Sequence, residues 1–323
     1  MASKDKMDGE DESTDSQIMA RVCWNYYKEG LTQEAISQQL GLTRKKVNRI
    51  LNDARTSGFV QISINSQFSA CMELEAGLRR KYQLREVIVV PTASADTDVR
   101  TIVGAAAGKY ISENLPNGST LGIYWGGTIN AAAQNITRRQ GANNTVVLMC
   151  GGLSKSTHIN PYDNASLVSR ALDATCYYMT APLIAETESL KLALTESEPI
   201  RTVLKMVEQV NIALLTAKDL TDQSTALKHG VISQETCDLL RKAGAVGDIC
   251  GHYLNVNGNF VAHPIAKRVI HPSLEQIRAI PEIVLASGGV HKVPIIRAAI
   301  FAGLCHVLIT DENAAAALLA DKE

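Results

Sequence analysis

A cluster of cations at the start of one predicted helix carries the strongest chemical signal in this 323-residue chain. The cations are Arg44, Lys45, Lys46 and Arg49, and Asn48 lies among them. Cations at a helix N-terminus oppose the helix dipole, so helix stability alone does not favour them there. They suit a DNA duplex, because Lys and Arg neutralise phosphates while Arg and Asn reach base edges. The alternative is a solvated basic face on an ordinary helical hairpin.

The elements that would position this cluster span residues 31–57. Thr32 is a good N-cap for a first helix, and Gly41 breaks that helix where the chain must turn. Thr43 caps a second helix, whose inward stripe is formed by Val47, Ile50, Leu51 and Ala54. This layout predicts a helix-turn-helix whose second helix enters a DNA major groove. The residues predicted to contact DNA are Thr32, Gln33, Thr43, Arg44, Lys45, Lys46, Asn48 and Arg49.

A strand follows the second helix. The run from Phe59 to Asn65 alternates apolar and polar side chains, as a half-buried strand does, and a strand pair here would form a wing that rests on the DNA backbone. The sequence therefore predicts a winged helix-turn-helix over residues 16–66, after a disordered acidic leader over residues 1–15. The leader holds six acidic and two basic residues, whereas residues 16–58 hold seven basic and three acidic ones. A basic module is thus hidden inside a net charge of -1.

Two glycine-bearing turns further along follow predicted strands and open predicted helices. The first contains Gly126, Gly127 and Thr128, whose N–H groups, helix dipole and hydroxyl together favour an anion such as a phosphate. The second contains Gly289 and Lys292, and a lysine at a helix start needs a compensating anion. Ligands of open α/β sheets bind where strand carboxyl ends meet helix N-termini. Ordinary turn chemistry and a plain surface lysine are the alternatives.

Other residues near strand ends complete the predicted ligand site. Asp248 lies in a third glycine-rich loop, residues 244–251, where it either hydrogen-bonds ligand hydroxyls or caps a turn. Gly151 and Gly152 follow another strand, and Arg268 is a second candidate cation for a phosphorylated end. The seven histidines share no ligand spacing, and the chain has no GxSxG or Walker motif and no GxGxxG after a strand. We therefore expect no metal, no cofactor and no catalytic residue.

The elements that must hold these loops alternate between short apolar runs and helical segments from Leu84 onward. The predicted strands are 87–90, 121–125, 146–149, 177–179, 212–215, 283–286 and 307–309. This alternation predicts a doubly wound α/β domain with a mostly parallel sheet over residues 84–323. Residues 252–261 contain an Asn-Gly turn and predict a hairpin beside that sheet. A helical linker over residues 67–83, able to pair with a symmetry mate, joins the two domains.

Composition and cysteine usage limit the classes of protein to which this chain could belong. The 46% hydrophobic content is typical of globular protein. Seven scattered cysteines with no CxxC pair argue against a disulfide framework or a structural zinc site. No apolar run approaches the ~20 residues of a membrane span, and the acidic N-terminus is unlike a signal peptide. We expect a soluble cytoplasmic protein with no membrane partner.

Several motifs, in order along the chain, resemble the SorC family of sugar-responsive bacterial transcriptional regulators. They are GLTQEAISQQLGLTRKKVNRIL, GIYWGGT, GAVGDICGHY, KRVIHPSLEQIRAIP, ASGGVHKVPIIRAAI and LITDENAAAALL, and the similarity runs from about Gln17 to the C-terminus. The resemblance, nearest the branch of sorbitol, sorbose and autoinducer-2 regulators, implies a winged helix-turn-helix and an effector domain similar to sugar-phosphate isomerases and deaminases. It also implies operator-bound homotetramers, or dimers of dimers. In relatives, phosphosugars are contacted by the residues that match Gly126, Gly127, Thr128, Arg268 and Lys292.

Two functions from different classes follow. The first is a DNA-binding regulator of a carbohydrate uptake or catabolism operon, controlled by a sugar, polyol or sugar phosphate. Its predicted effector-binding residues are Gly126, Gly127, Thr128, Gly151, Gly152, Asp248, Arg268, Gly289 and Lys292. The alternative is a sugar-phosphate isomerase or deaminase that carries a DNA-binding appendage, with Asp248 as a base. The sequence pairs no second acid or base with Asp248, which favours the regulator.

Overall fold

A computed structural model describes residues 7–60, 69–92 and 98–321, with side chains described from Asp15 onward in these ranges. The chain divides into two compact units, Met1–Ser66 and Gln67–Glu323. All seven cysteines fall in the described ranges, and all are free thiols. No helix in those ranges is long and apolar enough to cross a membrane.

The described part of the first unit consists of helices α1 (Met7–Tyr27), α2 (Gln33–Leu40) and α3 (Arg44–Thr56). Gly41 ends α2 in the left-handed conformation, with φ of 64°, which lets the chain turn at once into α3. The three helices share a small apolar core made of Val22, Cys23, Ile36, Val47, Ile50, Leu51 and Ala54. The helix-turn-helix predicted from the sequence is therefore present, with the predicted inward stripe on α3.

At the N-terminal end of the first unit the structure differs from the prediction, and at its C-terminal end the prediction is not tested. Helix α1 begins at Met7, inside the segment that we expected to be a disordered leader. This part of the sequence is acidic, and negative charge suits a helix N-terminus, so the leader prediction does not hold for residues 7–15. The predicted wing strand falls mainly on residues 61–65, which lie outside the described residues.

A seven-stranded parallel sheet forms the centre of the second unit. The strands of this unit are β1 (Glu86–Val90), β2 (Thr120–Ile123), β3 (Thr145–Leu148), β4 (Thr175–Tyr177), β5 (Ile212–Leu215), β6 (Ala217–Asp219), β7 (Ala245–Ile249), β8 (His252–Asn255), β9 (Glu282–Ala286) and β10 (Val307–Asp311). The main sheet has the order β1-β10-β9-β5-β2-β3-β4, with every neighbouring pair parallel. Each of the seven predicted strands overlaps one of these, which confirms the α/β fold class.

Helices cover this sheet. A parallel sheet is apolar on both of its faces, so both faces must be covered by other elements. The helices are α4 (Ser69–Tyr82), α5 (Val99–Asn114), α6 (Gly127–Asn135), α7 (Pro161–Leu172), α8 (Glu188–Glu196), α9 (Glu198–Met206), α10 (Thr225–Lys228), α11 (Gln234–Lys242), α12 (Leu274–Arg278), α13 (Val293–Phe301) and α14 (Glu312–Ala320). Strands β2, β5 and β10 are buried along their whole length. The strand carboxyl ends and the helix N-termini that follow them therefore meet at one edge of the sheet.

Strands β6, β7 and β8 form a small antiparallel sheet that changes two sequence predictions. Residues 244–251 were expected to be a glycine-rich loop, but β7 runs through them. A Cβ on Gly247 would lie 2.3 Å from the Lys218 carbonyl oxygen, so this glycine permits close pairing of β7 with β6. The predicted Asn-Gly hairpin is present in part. The Val261 N–H donates to the Tyr253 carbonyl at 2.9 Å, but β8 takes β7 as its main partner.

Helix α4, which we expected to be a linker, belongs to the core of the second unit. Cys71 and Leu78 on α4 are fully buried against its apolar cluster. The Tyr82 hydroxyl donates to the Leu318 carbonyl of α14 at 2.9 Å, and Lys81 Nζ donates to the same oxygen at 3.1 Å. Cys71, Leu78 and Tyr82 on α4 thus face its own unit, whereas Met72 is exposed.

Replacement of Leu78 by Ala tests this placement. We expect Leu78→Ala to lower the free energy of unfolding of the second unit by about 2–5 kcal/mol, because it opens a cavity in a closely packed core. Urea unfolding followed by circular dichroism measures the change. Met72→Ala on the same helix is the matched control, since Met72 is 53% exposed. Equal, small effects of the two substitutions would show that α4 does not pack as described.

Candidate functional site

The turn between α2 and α3 is held by two threonines that the sequence marked as caps. The Thr32 hydroxyl accepts a hydrogen bond from the Ala35 N–H at 3.2 Å, and the Thr43 hydroxyl accepts one from the Lys46 N–H at 3.2 Å. Each bond satisfies one of the N–H groups that a helix leaves free at its start. Gln33 is the first residue of α2 and is half-buried. These caps fix where α3 begins and hence which of its residues face outward.

The outward face of α3 is polar, basic and exposed. It carries Thr43, Arg44, Lys45, Lys46, Asn48, Arg49 and Asn52, and all seven are exposed. Within the part of the chain that the structure describes, none of these four cations forms an ion pair. The Asn52 amide donates to the Asn48 side-chain oxygen at 3.1 Å. The predicted residues of α3 therefore lie together on one surface, with their charges available to a polyanion.

In the second unit, loops from four strands enclose a cleft of about 550 Å³ at the carboxyl edge of the main sheet. It is lined by Asp98, Val99, Arg100, His158, Asp219, Gln223, Thr225, Lys228, His229, Gly288, Gly289, His291 and Lys292. A narrower recess adjoins it through shared residues and is lined by Arg100, Gly126, Gly127, Thr128, Thr216, Ala217, Lys218, Asp219, Thr225 and Lys292. The predicted residues Gly126, Gly127, Thr128, Gly289 and Lys292 are thus brought together.

The N-terminus of α6 points its free N–H groups toward this recess. Gly126 has φ of 129° and gives α6 no side-chain cap. Thr128 is buried, with 3% of its surface exposed. A Cβ on Gly127 would lie 3.3 Å from Cδ of Arg100, so the glycine admits the arginine beside the helix start. Uncapped N–H groups and a helix dipole next to a guanidinium favour an anion.

Lys292 supplies a buried cation to the same place. It is 8% exposed, and its ammonium has no hydrogen bond or ion pair with any described residue. Burial lowers its pKa, while Asp219 opposes that shift. The glycine turn before it is fixed by Asp311, whose Oδ1 accepts from the Gly289 N–H at 2.6 Å. A buried cation without a partner is costly, and an anion from outside the chain would compensate it.

Arg100 and Lys218 also border the recess, and neither was predicted from the sequence to lie there. Arg100 donates to both oxygens of Asp98, with Nε at 2.9 Å from Oδ1 and 2.8 Å from Oδ2, and this lowers the pKa of Asp98. Lys218 Nζ donates to the Trp125 carbonyl at 2.7 Å and lies 3.8 Å from the centroid of the Trp125 ring. A Lys-Asp pair that begins three positions after the last residue of the buried β5 was the available signal.

Two glycines predicted to bind the effector use their N–H groups in backbone hydrogen bonds away from the Lys292 cleft. The Gly151 N–H donates to the Ile270 carbonyl at 3.2 Å, and the Gly152 N–H donates to the Ala181 carbonyl at 2.8 Å. A Cβ on Gly152 would lie 1.9 Å from a ring carbon of Tyr162. Neither glycine lines the Lys292 cleft, so they are glycines because the backbone and a tyrosine approach closely.

Asp248 and Arg268 also lie away from the cleft lining. Asp248 accepts a hydrogen bond from the Gly251 N–H at 3.0 Å and stands opposite Lys218 in the β6–β7 register. Burial raises its pKa to about 6, while Lys218 opposes that shift. Arg268 donates from Nη1 to the Glu186 carbonyl at 3.2 Å. Asp248 therefore acts on Lys218, and Arg268 holds a neighbouring loop.

Histidines occur around the cleft without forming a metal site. The rings of His158 and His229 meet edge to face with centroids 5.6 Å apart, and His291 Nε2 lies 3.7 Å from Asp219 Oδ2. Burial lowers the pKa of His229 and of His291. Across residues 15–60, 69–92 and 98–321, no three His, Cys, Asp or Glu side chains are grouped to hold a metal ion.

An exposed basic helix in a helix-turn-helix and a cation-lined cleft in an α/β unit together define a ligand-responsive transcription factor. Residues 66–320 match the family described as a putative sugar-binding domain. The chain belongs to this family, that of the SorC-type transcriptional regulators.

Individual relatives agree with this assignment over nearly the whole chain. The chain is 30% identical to the deoxyribonucleoside regulator of Bacillus subtilis (strain 168), covering 94% of this chain and 98% of that protein. It is 32% identical to the transcriptional regulator LsrR of Escherichia coli O9:H4 (strain HS), covering 99% of each. The full-length sorbitol operon regulator SorC from Klebsiella pneumoniae has the same fold, with a TM-score of 0.75 at 21% identity, covering 95% of this chain and 99% of that chain. The protein is a transcriptional regulator with a sugar-binding domain.

The buried Lys218 makes the stability of the second unit depend on pH. Burial lowers the pKa of folded Lys218 to about 7, whereas the ordinary value is 10.5. Above about pH 7 the unfolded chain then binds more protons than the folded chain, so the free energy of unfolding rises with pH from there.

We expect Lys218→Met to reduce this rise, though not to abolish it, because Lys292 contributes in the same direction. Urea unfolding at about pH 7 and 9 measures the slope, and the exposed Lys109→Met is the control. An unchanged slope in Lys218→Met would contradict the burial of a titrating amine.

Proposed function

We propose that the effector of this regulator is a sugar, polyol or sugar phosphate that binds in the cleft around Lys292. The observation that carries the proposal is the buried Lys292 ammonium, which forms no hydrogen bond or close ion pair with the described residues. Thr128 and the N–H groups at the start of α6 adjoin it in the recess. The hydroxyls of a sugar would find acceptors and donors in Asp219, His229 and His291 on the cleft wall.

DNA recognition in this proposal belongs to α3. An exposed helix with two asparagines and four cations that form no ion pair within the described ranges fits the major groove, where cations contact phosphates and Arg or Asn reads base edges. Thr32 and Gln33, at the start of α2, would contact the backbone beside the groove. The controlled genes belong to a carbohydrate uptake or catabolism operon, in keeping with the relatives' names, and the protein works in the cytoplasm.

Control of operator binding requires more than one copy of the chain, because two helix-turn-helix heads must match two half-sites. We propose a homotetramer arranged as a dimer of dimers. Large apolar side chains that are exposed on the second unit support this, among them Phe301 at 52% and Leu192 at 53%. Effector binding would then change how subunits are placed and so change operator affinity.

The proposal assigns no catalytic role. An isomerase or deaminase needs an acid or base that reaches the substrate. Asp248, the candidate base, accepts from the Gly251 N–H and does not line the cleft. This position does not suit Asp248 to the role of base, and the relatives are named as transcriptional regulators, which favours the regulator over an isomerase or deaminase.

Replacement of Arg49 tests the DNA-reading face. We expect Arg49→Ala to weaken operator binding by about tenfold and, if the lost contact is to a phosphate, to reduce the salt slope by about 0.9. Fluorescence anisotropy with an operator duplex at several salt concentrations measures both quantities. Arg21→Ala is the control, because Arg21 is exposed on α1 outside the reading face. Operator binding by Arg49→Ala that equals the wild type would count against the assignment.

Replacement of Lys292 tests the effector cleft. We expect at least one compound of a panel (ribose, sorbitol, ribose 5-phosphate and glucose 6-phosphate among them) to raise the melting temperature, because it binds the folded state alone. Lys292→Met should lose that rise, whereas Lys109→Met, which removes an exposed charge outside the cleft, should keep it. A rise that survives in Lys292→Met would place the effector elsewhere.

A further inference from the structure

Three side chains on the outward face of α3 form a row of hydrogen bonds. They are Asn48, Asn52 and Arg55, and all three are exposed. Asn52 Nδ2 donates to Asn48 Oδ1 at 3.1 Å, and Arg55 Nη2 donates to Asn52 Oδ1. Residues three and four positions apart are neighbours on a helix surface, so the spacing of these side chains produces the row. The proposed function assigns Asn48 to DNA but gives no role to the hydrogen bonds that hold it.

The arginine fixes the direction of the row. A guanidinium has N–H donors and no acceptor, so the end of the Asn52 amide that faces Arg55 is its oxygen. The nitrogen of Asn52 then faces Asn48, and this donor must meet the oxygen of the second amide. The nitrogen of Asn48 is left free, with no hydrogen bond to any described residue. The row therefore ends in an outward N–H donor.

Arg55 itself stands away from the position of Asn48. It lies seven residues further along α3, which is about 10 Å along the helix axis. Its Nε donates to the Leu51 carbonyl at 3.4 Å, and it forms no ion pair within the described ranges. The N-terminal residues of a recognition helix are those that contact base edges. Arg55, in the last turn, would therefore act on the base beside Asn48 only through Asn52.

The base edges of the major groove respond differently to the free end of this row. Adenine presents the N7 acceptor beside the N6 donor, guanine presents two acceptors, and cytosine presents a donor. The free nitrogen of Asn48 fits an acceptor, and its oxygen keeps a second lone pair that can accept from a donor. Adenine alone offers an acceptor and a donor side by side. Cytosine would bring its donor against the nitrogen of Asn48.

We propose that Asn52 and Arg55 are positioning residues, which fix the amide of Asn48 for the recognition of an adenine in the operator. The inference rests on the proposed function, because it takes α3 as the helix that enters the major groove. Side-chain hydrogen bonds on an exposed helix add little to its stability in water. They are stronger where water is excluded, as between a helix and a base edge, so the row acts mainly on base preference.

The test begins with an operator that the full chain selects from a pool of random duplexes. Each position of the selected duplex is then replaced by the other three bases, and fluorescence anisotropy gives the Kd of each duplex. We expect adenine at the position whose base preference is lost in Asn48→Ala. Replacement of this adenine by 7-deazaadenine, which lacks the N7 acceptor, should weaken wild-type binding by about tenfold and leave Asn48→Ala unaffected. Another base at this position, or no such position, would overturn the proposal.

Replacement of Asn52 by Asp tests the direction of the row. A carboxylate only accepts hydrogen bonds, so Asn48 must turn its nitrogen toward the new side chain and its oxygen outward. We expect Asn52→Asp to reduce the preference for adenine over cytosine by about tenfold or more, because cytosine donates from N4. Gln39→Glu is the matched control, since it makes the same change of amide to carboxylate at an exposed position on α2. An unchanged preference in Asn52→Asp would overturn the proposal.

Replacement of Arg55 separates positioning from a simple contact with phosphate. We expect Arg55→Met to lose most of the preference for adenine, because either end of the Asn52 amide is then free to face Asn48. Arg55→Lys should retain most of it, since an ammonium is also a donor without an acceptor. Equal weakening of binding to all four bases in Arg55→Met would mean a phosphate contact alone, against the proposal. Circular dichroism should show wild-type helix content in each variant, because the replaced side chains are exposed.

The outcomes also separate this inference from the proposed function. If Arg49→Ala and Asn48→Ala bind the selected duplex as the wild type does, α3 is not the reading helix, and both are wrong. If Arg49→Ala weakens binding while Asn52→Asp and Arg55→Met keep the preference for adenine, α3 reads DNA and the positioning role is wrong.

Discussion

Two lysine ammonium groups are removed from water at the carboxyl edge of the main sheet. The arrangement of the loops at this edge depends on compensating those buried charges. A buried charge is tolerated when opposite charges and hydrogen bonds surround it. Lys218 and Lys292 are both buried here, and Asp219, Asp248 and Asp311 lie around them. Each of these carboxylates also accepts a backbone N–H from its own loop or a neighbouring one. The loops are therefore fixed by the same acids that make the buried lysines tolerable.

The first unit uses its cations in the opposite way. The cations on α3 are exposed, and none is paired with an acid among the described residues. Exposed cations stay hydrated in the free protein, so they carry no desolvation cost when no polyanion is bound. Their affinity for a polyanion then depends strongly on the salt concentration. One chain thus carries buried cations in the cleft proposed for the effector and exposed cations on the helix proposed for DNA.

Local patterns in the sequence predicted the elements that depend on local rules. Spacing of Val47, Ile50, Leu51 and Ala54 defined the buried face of α3, and apolar runs located the seven parallel strands. Gly126 and Gly127 were correctly placed at the start of a helix, because strand, glycine and helix follow one another directly. Gly151 and Gly152 carry the same local signature, yet their N–H groups are taken by the distant carbonyls of Ile270 and Ala181. Nothing near them in the sequence distinguishes the two pairs.

Residues whose roles depend on pairing between distant segments could not be predicted. Lys218 enters the recess because β6 pairs with β7, which places it opposite Asp248, thirty positions later. The same pairing makes a strand of an expected loop and places Asp248 opposite Lys218, outside the lining of the cleft. Helix α4 has the apolar spacing of any amphipathic helix, and only tertiary contact with β1 and α14 shows which surface it covers.

Asp311 gives the two ends of the second unit a common support. Its Oδ1 accepts from the Gly289 N–H in the turn that carries Lys292, and its Oδ2 accepts from the Ala314 N–H at 3.2 Å and so caps α14. Helix α14 in turn receives the hydroxyl of Tyr82 from α4, the helix with which the described part of this unit begins. A single carboxylate therefore links the wall of the cleft to the helix nearest in sequence to the DNA-binding unit. Strain imposed on the Lys292 turn has a mechanical path of three hydrogen bonds and one helix to reach α4.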